Sequence, residues 1–174
     1  MVNINLNLSF PMRKTFIILE KKQLFMKDFS NLTFDKVTIV MTSMSRWDGE
    51  FSSASWSLAK TFAQTQKVIY VDYPFTFLDY LKERKKPSVK ARKSALIWGN
   101  NSIKQLSQFS PKLYALSPPL MLPINWLPQG SLYNFFSNWN DRRLAKSICK
   151  ALKELHEEAF IYFNSFNPLY LTKL

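Results

Sequence analysis

An α/β fold, a parallel sheet with helices on both faces, is predicted by three features of the chain. Runs that are apolar on both faces stand at Val37–Thr42 and Val68–Val71, an amphipathic helix pattern separates them, and valine and isoleucine crowd into the runs. A strand that offers apolar side chains to both faces must be covered twice. That is the environment of a parallel sheet, and a helix crossing between two such strands completes a βαβ unit.

Each element can be read in order. Residues 1–35 form a leader that does not join this series. Val2, Ile4, Leu6, Leu8 and Phe10 alternate with Asn3, Asn5, Asn7 and Ser9, whereas Phe16–Phe25 mixes apolar residues and lysines without a clear period. The leader is expected to be either an extension outside the core, with Met26 as an alternative start, or an extra edge strand. After the first core strand comes a polar loop, Ser43–Glu50, and then a helix whose stripe is Phe51, Ala54, Ser55, Leu58, Ala59 and Phe62. The second strand, Val68–Val71, follows. From Lys82 to Lys93 seven basic residues stand against Glu83 alone. The local charge is +6, half of the +12 carried by all 174 residues, and the segment is expected to be a solvated, mobile loop.

Ser94–Trp98 reads as a short strand before a turn at Gly99–Asn101, and Lys112–Ser117 as a stronger one. The four prolines of Pro118–Pro128 remove backbone donors and predict a long, ordered, apolar loop. Asn140 and Asp141 are read as a helix start, with Leu144, Ile148, Leu152 and Leu155 as the buried stripe and an end near His156. Phe160–Phe163 is the fourth strand, stopped by Asn164–Pro168. A doubly wound domain with strands near 37, 68, 112 and 160 would continue past Pro168. The chain is therefore expected to be the incomplete amino-terminal half of a larger fold.

Composition narrows the function classes. A hydrophobic content of 47% with 21% charged residues is ordinary for a globular domain. The single Cys149, expected to be a small core residue, allows no intramolecular disulfide, and one histidine allows no Cys/His zinc cluster. No run approaches the roughly 18 apolar residues of a membrane span, and no signal-peptide pattern opens the chain, so a cytoplasmic location is expected. Three glycines cannot assemble a dinucleotide fingerprint or a P-loop, and no cofactor or metal is expected. The basic segment accompanies no nucleic-acid-binding motif, so its expected partner is an anionic membrane surface met by Lys85, Lys86, Lys90 and Arg92.

Chemistry is sought in Ser45–Ser53, because open parallel sheets place their sites in loops at the carboxyl ends of the strands. There Arg46, Trp47, Asp48, Gly49 and Glu50 combine an aromatic ring, a guanidinium and two carboxylates, a set that suits the hydroxyls and CH faces of a sugar. Ser52 and Ser53 stand where a hydroxyl caps a helix. Asp72, just after the second strand, occupies the position where nucleotide-binding folds hold a ribose, but no glycine fingerprint accompanies it. His156 is expected to cap or face solvent at a helix end.

Arg46–Glu50, Val68–Pro74, Leu116–Pro128 and Tyr162–Pro168, in this order and spacing, resemble the amino-terminal half of bacterial GT-B glycosyltransferases. Within that group they resemble family 4-like enzymes of the teichuronic acid type. The resemblance covers about residues 36–170. It implies a Rossmann-like domain that holds the acceptor, a glycan or lipid-linked molecule, while a second domain holds the nucleotide-sugar donor. The loop after the first strand would reach the cleft between the domains, and on this reading Asp48 orients or deprotonates an acceptor hydroxyl. Trp47, Gly49, Glu50 and Ser52 would bind the acceptor, with Asn164 and Asn167 contributing from the end of the fourth strand. A basic, non-catalytic peripheral-membrane module is the alternative reading. The fragment alone would be inactive.

Overall fold

The computed structural model describes residues 37–49, 53–100, 102–157, 159–165, 167 and 169–171. The leader, the helix-stripe residue Phe51 and the site candidates Glu50 and Ser52 lie outside them. Ten elements follow in the order β1 (Thr38–Ser43), α1 (Ala54–Phe62), β2 (Val68–Val71), α2 (Phe77–Glu83), α3 (Pro87–Ala91), α4 (Lys93–Trp98), β3 (Ile103–Gln105), β4 (Leu113–Leu116), α5 (Ser131–Glu154) and β5 (Phe160–Ser165).

The sheet runs β3-β4-β2-β1-β5, with β4, β2, β1 and β5 parallel and β3 antiparallel to β4. β1 lies between β2 and β5, so Val40 faces Ile69 on one side and Tyr162 on the other. All six β1 residues are buried, as a doubly covered strand requires. Alternate residues serve opposite layers. Ile39, Met41, Val68, Tyr70, Leu113 and Ala115 pack with Trp56, Ala59 and Ala63 of the α1 region. Val40, Ile69, Val71 and Leu116 pack with Leu144, Ile148, Ala151 and Leu152 of α5. The result is an α/β fold with helices on both faces of a mostly parallel sheet.

Three local expectations are corrected. Lys82–Lys93 is not a loop, because it spans the end of α2, all of α3 and the start of α4. Ser94–Trp98 is helical rather than extended. Pro87 sits in the first turn of α3, where its missing N–H is no loss, and Gly99 closes α4 in the left-handed region at φ 64°. Between them Val89, Ala95 and Leu96 are buried, and Val89 and Leu96 form a small core with Phe75 and Leu120.

The third correction moves the start of α5 from residue 140 back to Ser131. Leu132 and Phe135 in its first turns are exposed, so no buried stripe announces them. Asn140 is fully buried in mid-helix and is not a cap. Its Oδ1 accepts from the Leu122 amide at 2.9 Å and its Nδ2 donates to the Leu122 carbonyl at 3.0 Å. One side chain thereby satisfies a donor and an acceptor of the proline-rich loop, which has few backbone partners of its own. Cys149, expected in the core, is half-buried on the same helix, and burial pushes its thiol up. His156 is exposed just past the helix end at φ 56°. Among the described residues no helix is long and apolar enough to cross a membrane.

Candidate functional site

The loop after β1 folds across the carboxyl ends of β2 and β4, and its own polar groups fasten it there. The Tyr70 hydroxyl, carried by β2, lies 2.6 Å from Ser43 Oγ and 2.5 Å from Ser45 Oγ. Ser45 Oγ is in turn 2.7 Å from Ser53 Oγ, which accepts from the Trp56 amide at 3.1 Å as the α1 cap. Helix start, loop and strand are therefore joined by one chain of hydroxyls. Gly49 closes the loop's turn by donating its N–H to the Arg46 carbonyl at 3.1 Å.

Arg92 is the centre of the site. Its Nη1 meets Asp48 Oδ2 at 2.7 Å, its Nη2 stands 3.5 Å from Asp72 Oδ2, and its Nε donates to Ser117 Oγ at 3.1 Å. Ser117 donates onward to Asp72 Oδ2 at 3.2 Å, while the Trp47 amide donates to Asp72 Oδ1 at 3.0 Å. Four segments that are distant in sequence meet here: the β1 loop, the end of β2, the α3–α4 junction and the end of β4. The Trp47 ring carries two cations, Lys104 at 4.9 Å and Arg92 at 5.7 Å from its centroid.

Burial sets the electrostatics. Asp72 is fully buried, and desolvation pushes its carboxyl up to about 6 against the opposing pull of Arg92 and the Trp47 amide. For Arg92, burial works downward, but the hydrogen bond it donates to Asp48 and the charge of Asp72 outweigh it and the guanidinium is held above its ordinary value. Arg46 moves the other way. Burial lowers it, only partly offset by Glu83 and Asp72, and its guanidinium lies 3.4 Å over the Phe75 ring while Nε donates to the Tyr73 carbonyl at 3.0 Å.

Two cavities flank the Arg92–Asp48 pair. The larger, about 560 Å³, is lined by Ser45, Arg46, Asp48, Tyr73, Glu83 and Lys86 among others. The smaller, about 390 Å³, has Trp47, Asp48, Ser88, Lys104 and Ser117 in its wall. Asp48 and Arg92 belong to both, and Gly49 lines the larger. Among the described residues no group of His, Cys, Asp and Glu is arranged to hold a metal.

The structure therefore brings together Trp47, Asp48 and Gly49 of the sequence candidates. It does not bring Asn164 and Asn167 to them. Asn164 exchanges two hydrogen bonds with the Asn167 backbone, at 2.9 and 3.0 Å, and Asn167 Oδ1 accepts from the amides of Leu169 and Tyr170. Lys85 and Lys90 are exposed; Lys86 is exposed, pairs with Glu83 and lines the larger cavity. Arg92 is turned inward with its side chain 11% exposed. Sequence reasoning missed Arg92 as a site residue because it counted Arg92 with a charge run. Asp72 lacks a glycine fingerprint, and its position just after β2 is the signal that places it at the site.

No protein-family model, curated protein or solved structure matches this chain.

Proposed function

We propose that this chain is the acceptor-side domain of a glycosyltransferase, moving a sugar from a nucleotide-sugar donor to a cell-surface glycan or a lipid-linked acceptor. The observation that carries the reading is the 560 Å³ cavity at the carboxyl end of β1, lined by two carboxylates, two guanidiniums, an ammonium and serine and tyrosine side chains. Support also comes from the sheet. Counting only the parallel strands in chain order, the arrangement is third-second-first-fourth, the order of a Rossmann-like half, whose ligands lie outside the carboxyl ends.

In this reading Asp48 orients an acceptor hydroxyl. Arg92 holds one of its oxygens in place, so the carboxylate is presented in a fixed position rather than on a free rotamer. Trp47 is a floor for Arg92 and Lys104 more than an open stacking face, since both cations already lie against its ring. Gly49 closes the turn beside Asp48. The nucleotide-sugar donor would be held by a second domain, as in the enzymes that the sequence resembles.

Calorimetric titration of the chain with a panel of oligosaccharides and with nucleotide sugars tests the proposal. Oligosaccharide binding is expected, weakened by Asp48→Asn by about ten-fold, the effect of losing one charge-assisted hydrogen bond. Nucleotide sugars are expected to show no saturable heat. Saturable nucleotide-sugar binding, or oligosaccharide binding that Asp48→Asn leaves unchanged, would overturn the acceptor-side assignment.

A further inference from the structure

α2 is a helix with no buried residue. Phe77, Leu78 and Leu81 are exposed by 42, 49 and 57%. At about 100° per residue these three fall on one arc roughly 100° wide, bordered by Lys82 on one side and Arg84 on the other, with Asp79 and Glu83 on the opposite face. Both acids are engaged: Asp79 closes the capping box with Thr76, and Glu83 pairs with Lys86 at 3.3 Å. Among the described residues Lys82, Arg84, Lys85, Lys90 and Lys93 form no ion pair. Apolar side chains exposed on a short helix, framed by unpaired cations, are the pattern of a helix that lies in a membrane interface.

We propose that α2 and the basic run that follows it dock on an anionic membrane surface. Phe77, Leu78 and Leu81 enter the acyl boundary, while Lys82, Arg84, Lys85, Lys86 and Lys90 meet lipid phosphates. Charge complementarity selects this occupant over the others. A second copy would set lysines against lysines. The leader has five basic residues against three acidic ones and brings no surplus of negative charge. Arg92 plays no part, because it is held inside the site by Asp48 and Asp72. Glu83 and Lys86 also line the larger cavity, so a docked chain would hold that cavity at the bilayer surface, although the docking does not depend on sugar transfer.

The test is co-sedimentation of the full chain with phosphatidylglycerol-containing vesicles and with pure phosphatidylcholine vesicles. Three proteins are compared: the parent, Leu78→Ser/Leu81→Ser, which keeps every charge, and Lys85→Gln/Lys86→Gln/Lys90→Gln, which keeps the apolar arc. All substituted positions are exposed, and unchanged melting temperatures confirm folding. The parent is expected to bind only the anionic vesicles and to release as salt rises. The triple variant should bind on the order of a hundred-fold more weakly, roughly five-fold per lysine. The double variant should lose at least about ten-fold through its missing apolar insertion. Equal binding to both vesicle types, or full binding by the double variant, would overturn the proposal. So would a concentration-dependent dimer that the double variant abolishes, because a second copy would then own the face. Vesicle binding that appears only after removal of residues 1–35 would mean that the leader, and not a membrane, covers the face.

Discussion

The loop after β1 and the turn after β5 leave adjacent parallel strands at the same, carboxyl end of the sheet, yet they use their polar groups differently. Besides short bonds such as Gly49 to Arg46 and Ser43 to Ser45, residues 43–49 reach partners 25 to 44 positions away: Tyr70, Asp72, Tyr73 and Arg92. Asn164 and Asn167 use theirs on backbone no more than three positions away. A loop fixed by distant partners keeps side chains facing a space between segments, and here that space is a cavity. A turn fixed by its own amides ends a strand and presents nothing. Site residues and turn residues can share a strand end and a polar composition and still be told apart by the range of their bonds.

The sharpest way to break this comparison is to remove the residue on which the loop converges. Arg92→Met leaves Asp72, 3% exposed, without its cation and frees Asp48 from its anchor. Breaking a buried pair from one side costs about 3–5 kcal/mol. At roughly 2–4 °C per kcal/mol the melting temperature should fall by about 10 °C. Arg92→Lys should recover little, because one ammonium cannot reach Asp48, Asp72 and Ser117 from a rigid fork. A melting temperature within 2 °C of the parent for Arg92→Met would show that the loop stands without its long-range ties.

The same region should carry a pH signature that the β5 turn lacks. The Asp72 pKa is raised in the folded state from 3.8 to about 6, so its contribution to stability is full below about pH 4 and is lost as pH rises through 6. The loss is at most about 3 kcal/mol between those limits, at 1.36 kcal/mol per unit. Asp72→Asn cannot titrate and should show no such component. Urea unfolding of both proteins at intervals from pH 4 to 7.5 is therefore expected to give a difference that favours the parent at low pH and shifts toward the variant up to pH 7. Parallel curves would mean that Arg92 fully compensates the burial of the charge.

Asn167→Ala tests the other half of the comparison. It removes the acceptor of the Leu169 and Tyr170 amides, and two lost neutral hydrogen bonds are worth about 2 kcal/mol. Chemical denaturation should report that loss while oligosaccharide binding stays at the parental value. A binding defect without a stability defect would return Asn167 to the site.

How far the sequence disclosed all this depends on range as well. β1, β2, β4 and β5 were legible because each is a short run of apolar, β-branched or aromatic residues, a signal contained within the strand itself. α2 and the first turns of α5 were not, since Phe77, Leu78, Leu132 and Phe135 are exposed and make no inward stripe. β3 has only three half-exposed or exposed residues and takes its form from β4. At the site, Asp48 and its neighbours were found because a strand end points to its own loop. Arg92 could not be: nothing local separates it from Lys90 and Lys93, and only the fold of α3 and α4 turns it toward Asp48.

The smallest effect sits at the junction of the loop with α1. Ser53 Oγ both accepts from the Trp56 amide and touches Ser45 Oγ, so it belongs at once to a helix cap and to the hydroxyl chain that ends at Tyr70. Ser53→Ala should remove the cap for about 1 kcal/mol, a fall of roughly 2–4 °C. Ser53→Asp keeps an acceptor for Trp56 and for the Ser45 hydroxyl, and should restore most of that. The pair separates two roles, because Tyr70→Phe cuts the same chain at its other end without touching the cap. If the hydroxyl chain holds the loop, Ser53→Ala and Tyr70→Phe should be less than additive, since either one already opens the link through Ser45. Strict additivity in a double-mutant cycle of unfolding free energies would show that the cap and the loop are fastened independently.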